Sequence, residues 1–244
     1  MAKKVGDNRA FEELLKSSKI PNALLLAGEC DYCISSQSEK ISKKITTAEN
    51  TYKMYYGEYD FKSAKNILSQ SSLFGDSSLL IIKIDNKIPQ KELEELISLT
   101  AKNSSNYLLI ELYKNPNKRA VEYYYLTQYF IKEFDSTHAL AFNFYIPFQK
   151  EALGMIKSRA LELGVEISEY LLAQLYSVHN GELGICMMEL EKLAIYKEDN
   201  KNLQLDANLL NALCFGLGME NLEDQIILLL QKKQVLSSFI KMTE

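Results

Sequence analysis

The first ~135 residues predict an α/β domain built on a parallel five-stranded sheet, and the remainder predicts a small all-α domain. Three observations carry this. Apolar runs of strand length alternate with amphipathic segments up to Asp135, which implies parallel pairing through right-handed crossovers. Residues 23–27, ALLLA, are a continuous apolar run of the kind buried on both faces of a sheet. From Phe148 onward every periodic segment is helical.

Taken in order, residues 8–18 form a short helix with Phe11, Leu14 and Leu15 on one side, and Pro21 ends the connection after it. The strand at 23–27 runs through a loop, 28–35, into a helix that reaches about Thr47. A second strand at 52–56 precedes an amphipathic helix at 59–70, where Phe61, Ala64, Ile67 and Leu68 fall at helical spacing. A buried strand follows at 79–84. Pro89 opens the next helix, through Ala101, and Glu92, Glu94 and Glu95 suit its positive end. A strand at 107–112, a loop KNPNK, a helix at 120–128 and a fifth short strand at 130–134 complete the domain, and 142–147 is an apolar connection. The helices beyond it are 150–163, 169–178, 183–196, 206–213 and 222–231, punctuated by Gly164, Gly181 and the run KEDNKN. The expected domains are 1–140, 141–213 and, from 214–244, the start of a third.

Composition narrows the function classes. A chain of 244 residues with 47% apolar and 25% charged residues is that of a globular protein. Its net charge of −4 argues against a dedicated nucleic-acid binder and leaves room only for weak or shared DNA contact. Three arginines, Arg9, Arg119 and Arg159, are too few for multi-arginine phosphate clamps. The basic start MAKK is followed by no apolar run of signal-peptide or membrane-span length, so the expected location is cytoplasmic, with no membrane partner. Four cysteines without a secretory signal are expected to be free thiols.

The loop after the first strand reads GECDYCIS. That is where a nucleotide-binding α/β protein keeps the phosphate loop G-x-x-x-x-G-K-[ST]. Gly28 matches, Cys33 takes the second glycine position, Ile34 the lysine position, and Ser35 matches at the end. Glu29 and Asp31 add negative charge where phosphate would sit, so bound ATP is disfavoured and no cofactor is expected. Cys30 and Cys33 also form a C-x-x-C at a helix start, which leaves a thiol/disulfide function open as an alternative. A zinc site is the other alternative for these cysteines, although no second C-x-x-C exists and His138 and His179 lie in different segments. No Ser/His/Asp arrangement can be assembled, and no catalytic residue is assigned.

Leu73 and Phe74 stand between the third helix and the third strand, beside the turn formers Gly75 and Asp76. If the helix ran on, its apolar stripe would pass through Ser71 and Ser72, with Leu73 on the opposite side. Two readings follow: both side chains fold into the core, or they form an exposed hydrophobic plug.

The degenerate loop, the helical second domain and the stretches YYGEYDF, SLFGDSSLLIIK, IKSRALELGVEIS and NGELGICMMELEKLAIY together resemble the delta-subunit family of bacterial DNA polymerase III clamp loaders. The resemblance implies an AAA+-like fold that neither binds nor hydrolyses ATP, followed by a helical lid. It implies that the chain binds and opens the ring-shaped sliding clamp (the beta subunit) and that it assembles with the clamp-loader ATPase and delta-prime subunits of the polymerase holoenzyme. By the same resemblance Leu73 and Phe74 enter a hydrophobic pocket on the clamp, and Gly184 stands where ATP-binding relatives carry the lid's sensing arginine. Ser71 replaces a position often apolar in the family. Family members usually continue into a third, collar-forming helical domain, which this sequence only begins before Glu244.

Overall fold

The computed structural model describes residues 5–70, 77–199 and 205–214. Chain contacts divide the protein into two compact units, Met1–Ile146 and Pro147–Glu244. In the first unit the described residues form five strands, β1 (Ala23–Gly28), β2 (Thr51–Tyr55), β3 (Ser78–Ile84), β4 (Asn106–Leu112) and β5 (Ala139–Phe144). All pair in parallel, in the order β2-β3-β4-β1-β5. Burial explains the order: β1 is buried along its whole length, whereas edge strand β2 buries only Met54.

Helix α1 (Asn8–Lys16) precedes β1, and α2 (Asp31–Ile45), α3 (Phe61–Ser69), α4 (Gln90–Lys102) and α5 (Ala120–Glu133) connect successive strands. One sheet face, with Leu25, Leu80, Ile82, Leu108 and Ile110, joins a single cluster with Ala64 and Leu68 of α3, Leu93 and Leu96 of α4, and Tyr123 and Phe130 of α5. The opposite face meets α1 and α2. Phe11 of α1 stands edge-on to Phe142 and Phe144, with ring centroids 4.9 and 5.6 Å away. Ile34 and Ile41 of α2 are fully buried. Local caps fix the helix starts: Asp7 accepts from Ala10 N–H (2.9 Å) and Asp60 from Ser63 N–H (2.7 Å).

Two expectations are corrected. Residues 130–134 are not a strand; they complete α5. Tyr123, Thr127, Phe130, Ile131 and Phe134 are all buried, and their spacing is helical, so the apolar run continues the stripe of α5. The fifth strand is β5, in a stretch read partly as a connection: Ala139 and Ala141 join the α5-side cluster while Phe142 and Phe144 face α1. Its outer edge is partly closed by Gly6, which donates to Ala141 O and accepts from Asn143 N–H, each at 2.9 Å. The second correction concerns the thiols. Cys30 and Cys33 form a disulfide, and only Cys186 and Cys214 are free. The helix start read at this C-x-x-C is real: α2 begins at Asp31 and brings the two Cα atoms to 5.2 Å, within disulfide reach.

The second unit contains α6 (Gln149–Glu162), α7 (Glu169–Val178), α8 (Leu183–Asp199) and α9 (Ala207–Cys214). Its interior is built from Ile156, Leu172, Leu175, Cys186, Leu190 and Leu210. Gly164, at φ +68°, turns the chain after α6 and lets Val165 N–H reach Ala160 O at 2.8 Å. The helix expected at 222–231 lies outside the described residues, as does all of the third domain expected at 214–244 except Cys214.

Burial, with the Glu189 and Glu182 carboxylates nearby, pushes the Cys186 thiol up to about 11 from an ordinary 9.0. Burial and the adjacent Glu189 push Cys214 to about 12. Below pH 9 both states hold these protons and the contribution is intact. Above it the unfolded chain releases them first, so stability is lost as the pH climbs toward 11 to 12. Urea unfolding of the protein is expected to show about 3 kcal/mol less stability at pH 10 than at pH 8 from these two thiols. Tyr113 and Tyr123 of the first unit, both raised by burial, act in the same direction at higher pH. Replacing both Cys186 and Cys214 with Ala should therefore flatten the profile between pH 8 and 10; an unchanged slope would refute the assignment.

Candidate functional site

The turn after β1 is held by bonds that use its own backbone amides. Gly28 has φ +136°, and a Cβ there would lie 2.1 Å from Phe144 O, so glycine is required by the close approach of β5. Glu29 N–H and Cys30 N–H both donate to Phe144 O, at 2.8 and 3.2 Å. Gly28 N–H donates to the Tyr123 hydroxyl (2.8 Å), whose own proton faces Gly28 O at 2.7 Å and Leu112 O at 3.0 Å. Within the first turn of α2, Cys33 N–H meets the Cys30 sulfur (3.3 Å) and Ile34 N–H meets Cys30 O (3.0 Å). A phosphate cradle needs free amides converging on an anion. Here those of Gly28, Glu29, Cys30, Cys33 and Ile34 are already bonded.

The four loop positions singled out in the sequence each have a local structural role. Gly28 admits β5, Cys33 is tied to Cys30, Ile34 is 0% exposed in the core, and Ser35 donates to Tyr32 O at 3.1 Å. Glu29 and Asp31 are exposed beside them. Gly184 lies in the first turn of α8, half-buried. Asp85, at the end of β3, accepts from Asn115 (2.7 Å) and Asn86 (2.5 Å), a turn-forming network.

Leu73 and Phe74 lie outside the described residues, whereas the residues that flank their segment, up to Gln70 and from Ser77, are described. On the α3 side, buried Asn106 donates its amide to Leu68 O (2.8 Å) and Gln70 O (2.7 Å), and Asn103 adds a bond to Gln70 O at 3.2 Å. On the β3 side, Ser78 N–H donates to Ser105 O (3.0 Å) and Ser77 O accepts from Thr46 at 2.6 Å. The end of α3 and the entry to β3 lie at the amino-terminal end of the parallel strands, opposite the end that carries the Gly28 loop. Asn106, Asn103 and Thr46 were not singled out from the sequence. A polar residue opening a strand was the available signal, and its target carbonyls, 36 to 38 residues away, were not.

A buried ion pair was also missed. Glu111, 1% exposed, accepts from Ser38 and Tyr113 hydroxyls, each at 2.5 Å, and pairs with Lys83 at 3.1 Å. Lys83 lies over the rings of Tyr55 and Tyr113, at 5.8 and 6.0 Å. Its legible trace is one Glu in the apolar run of β4 and one Lys in β3, directly opposite each other in register. A polar groove of about 660 Å³, lined by Ser38, Ser42, Lys53, Lys83 and Glu111, opens beside the pair. Among the described residues no group of three or more His, Cys, Asp or Glu could hold a metal ion, and no helix is long and apolar enough to cross a membrane.

A family model described as a middle domain matches residues 148–207. Two Helicobacter pylori proteins are similar in sequence. One is 28% identical over 232 residues, covering 91% of this chain and 66% of the relative. The other is 32% identical over 189 residues, covering 72% of this chain and 55% of the relative. The chain thus spans between about half and two thirds of these relatives' lengths. Among solved structures, the Bacillus subtilis DNA clamp loader delta protein superposes with a TM-score of 0.52 at 16% identity, over 94% of this chain and 74% of that one. The Thermotoga maritima RuvB Holliday junction branch migration motor reaches 0.51 at 13% identity, over 90% and 67%. At such identities the likeness is one of fold: the protein has an AAA+-like α/β fold with a parallel five-stranded sheet.

Proposed function

We propose that this protein is a delta-type clamp-loader subunit that binds and opens the ring-shaped sliding clamp of the replicative DNA polymerase III holoenzyme, without ATPase activity of its own. The observation that carries the reading is an AAA+-like fold in which the loop amides of Gly28, Glu29, Cys30, Cys33 and Ile34 are bonded to Tyr123, Phe144 and Cys30. Such a unit retains the scaffold of a motor without its fuel site and is suited to act through its surfaces. In this reading the α/β unit carries the clamp-binding element, Leu73 and Phe74, and the helical unit is the lid. Its further partners are the loader ATPase and delta-prime subunits, with DNA touched weakly or indirectly. Gly184 offers the lid no side chain to place on a phosphate.

The direct test is titration of the protein with the purified sliding clamp, followed by size-exclusion chromatography. A complex with a Kd in the micromolar range or tighter is expected; no complex at tens of micromolar would remove the proposal. A second expectation concerns nucleotide. Ile34 cannot make a lysine's charge-assisted bond to phosphate, a contact of about 1.5 to 3 kcal/mol, and the bonded amides subtract further. A fluorescent ATP analogue should therefore show no saturable binding up to about 1 mM, near −4 kcal/mol. Saturation at micromolar concentration would contradict it.

A further inference from the structure

The Cys30–Cys33 pair plays no part in clamp opening as proposed, and its surroundings give it a use. We infer that it is a reversible dithiol–disulfide couple, exchanged by a dithiol reductant, that sets the order of the first turn of α2 while the fold stands in either state. The two Cα atoms, 5.2 Å apart, lie within the range that a disulfide spans without backbone movement. The turn is pinned by bonds that involve no sulfur. Glu29 and Cys30 N–H hold Phe144 O, Gly28 is clasped by Tyr123, and Ile34 N–H closes the helix on Cys30 O. Opening the S–S bond therefore leaves both ends of the turn in place. Cys33 N–H does meet the Cys30 sulfur, in a helix-capping bond. A thiol or thiolate at that position can still accept it.

The same geometry makes this pair the reactive cysteines of the described chain. In the reduced state the Cys30 sulfur caps the positive end of a 15-residue helix, which favours the nucleophilic thiolate. Cys186 and Cys214 are buried, with thiols pushed up to about 11 and about 12, and stay protonated and inert near neutrality. Both residues of the pair are buried, but their chain neighbours Glu29 and Asp31 are exposed, so the disulfide lies just beneath the surface. Exposed Glu29 and Asp31 flank it, so an anionic thiol such as glutathione is repelled and a neutral dithiol is favoured. The step balances. One thiolate of the dithiol attacks a cysteine sulfur, the S–S bond breaks, and its second thiol resolves the mixed disulfide. The reductant leaves as a cyclic disulfide, and its two electrons and two protons remain on Cys30 and Cys33.

The test uses the full chain, oxidised with cyclic dithiothreitol disulfide or reduced with dithiothreitol, then alkylated natively with iodoacetamide and analysed by peptide mass. The expected result is no adduct on Cys30 or Cys33 after oxidation and one on each after native reduction, with Cys186 and Cys214 unlabelled in both. The circular dichroism should be unchanged. On reduction the melting temperature should fall by a few degrees only, since the closed loop is short, and the amides of residues 31 to 34 should exchange faster. Reduced glutathione at equal thiol concentration should act at least tenfold more slowly than dithiothreitol. Labelling after oxidation would show that the pair does not close, and failure to label after reduction would show a locked crosslink. Loss of the circular dichroism signal would show that the fold depends on the bond. Each of these overturns the inference. Cys33→Ser should melt no lower than the reduced protein, and a further fall would overturn it as well.

Discussion

Replacing Leu73 and Phe74 together with alanine is expected to weaken binding to the sliding clamp roughly a thousandfold, through loss of two hot-spot contacts of ~2 kcal/mol each. The same variant should keep its stability, because truncating an exposed apolar side chain usually shifts it by no more than ~0.5 kcal/mol. Asn106 and Asn103 tie the end of α3, and Ser105 and Thr46 tie the entry to β3. If the two side chains are core residues, the outcome reverses, since Leu→Ala and Phe→Ala in a packed interior each cost ~2 to 5 kcal/mol. Thermal denaturation and a clamp titration on the double variant decide between the two. A protein that melts early removes the plug, and one that melts normally yet binds the clamp undiminished removes these residues from the interface.

Lys83→Met is expected to destabilise the α/β unit by about 3 to 5 kcal/mol, because it leaves the Glu111 carboxylate buried without its cation. Two hydroxyl donors, from Ser38 and Tyr113, remain on the carboxylate but carry no full charge. The neighbouring groove and the 23% exposure of Lys83 place the expectation at the lower end of that range. Adding Glu111→Gln should recover most of the loss. A neutral amide oxygen still accepts from Ser38 and Tyr113, while the uncompensated charge is gone. Urea denaturation of the two variants tests this through the coupling between them. A double variant no more stable than Lys83→Met alone would show that the cost lies in packing, not in charge.

Several features were legible in the amino-acid sequence because they are local. Continuous apolar runs such as Leu24 to Leu26 and Leu80 to Ile82 require burial on both faces, and their alternation with helices predicts an α/β unit with a parallel sheet. The degenerate loop was likewise readable, since Ile34 and the acids Glu29 and Asp31 are chemistry that no fold can alter. Tertiary structure decided the rest, because each remaining feature depends on a partner distant in the chain. The run at 130–134 has strand-like composition, yet it is the last turn of α5, since Phe130 and Ile131 meet the core only at helical spacing. Tyr123 became the clasp of the Gly28 turn across 95 residues, and Asn106 the tie of the stem that precedes Leu73. Glu111 acquired Lys83 only when β3 and β4 came into register. Periodicity records which side of an element is buried, but strand order, register and hydrogen-bond partners are settled by which surfaces meet when the whole sheet closes.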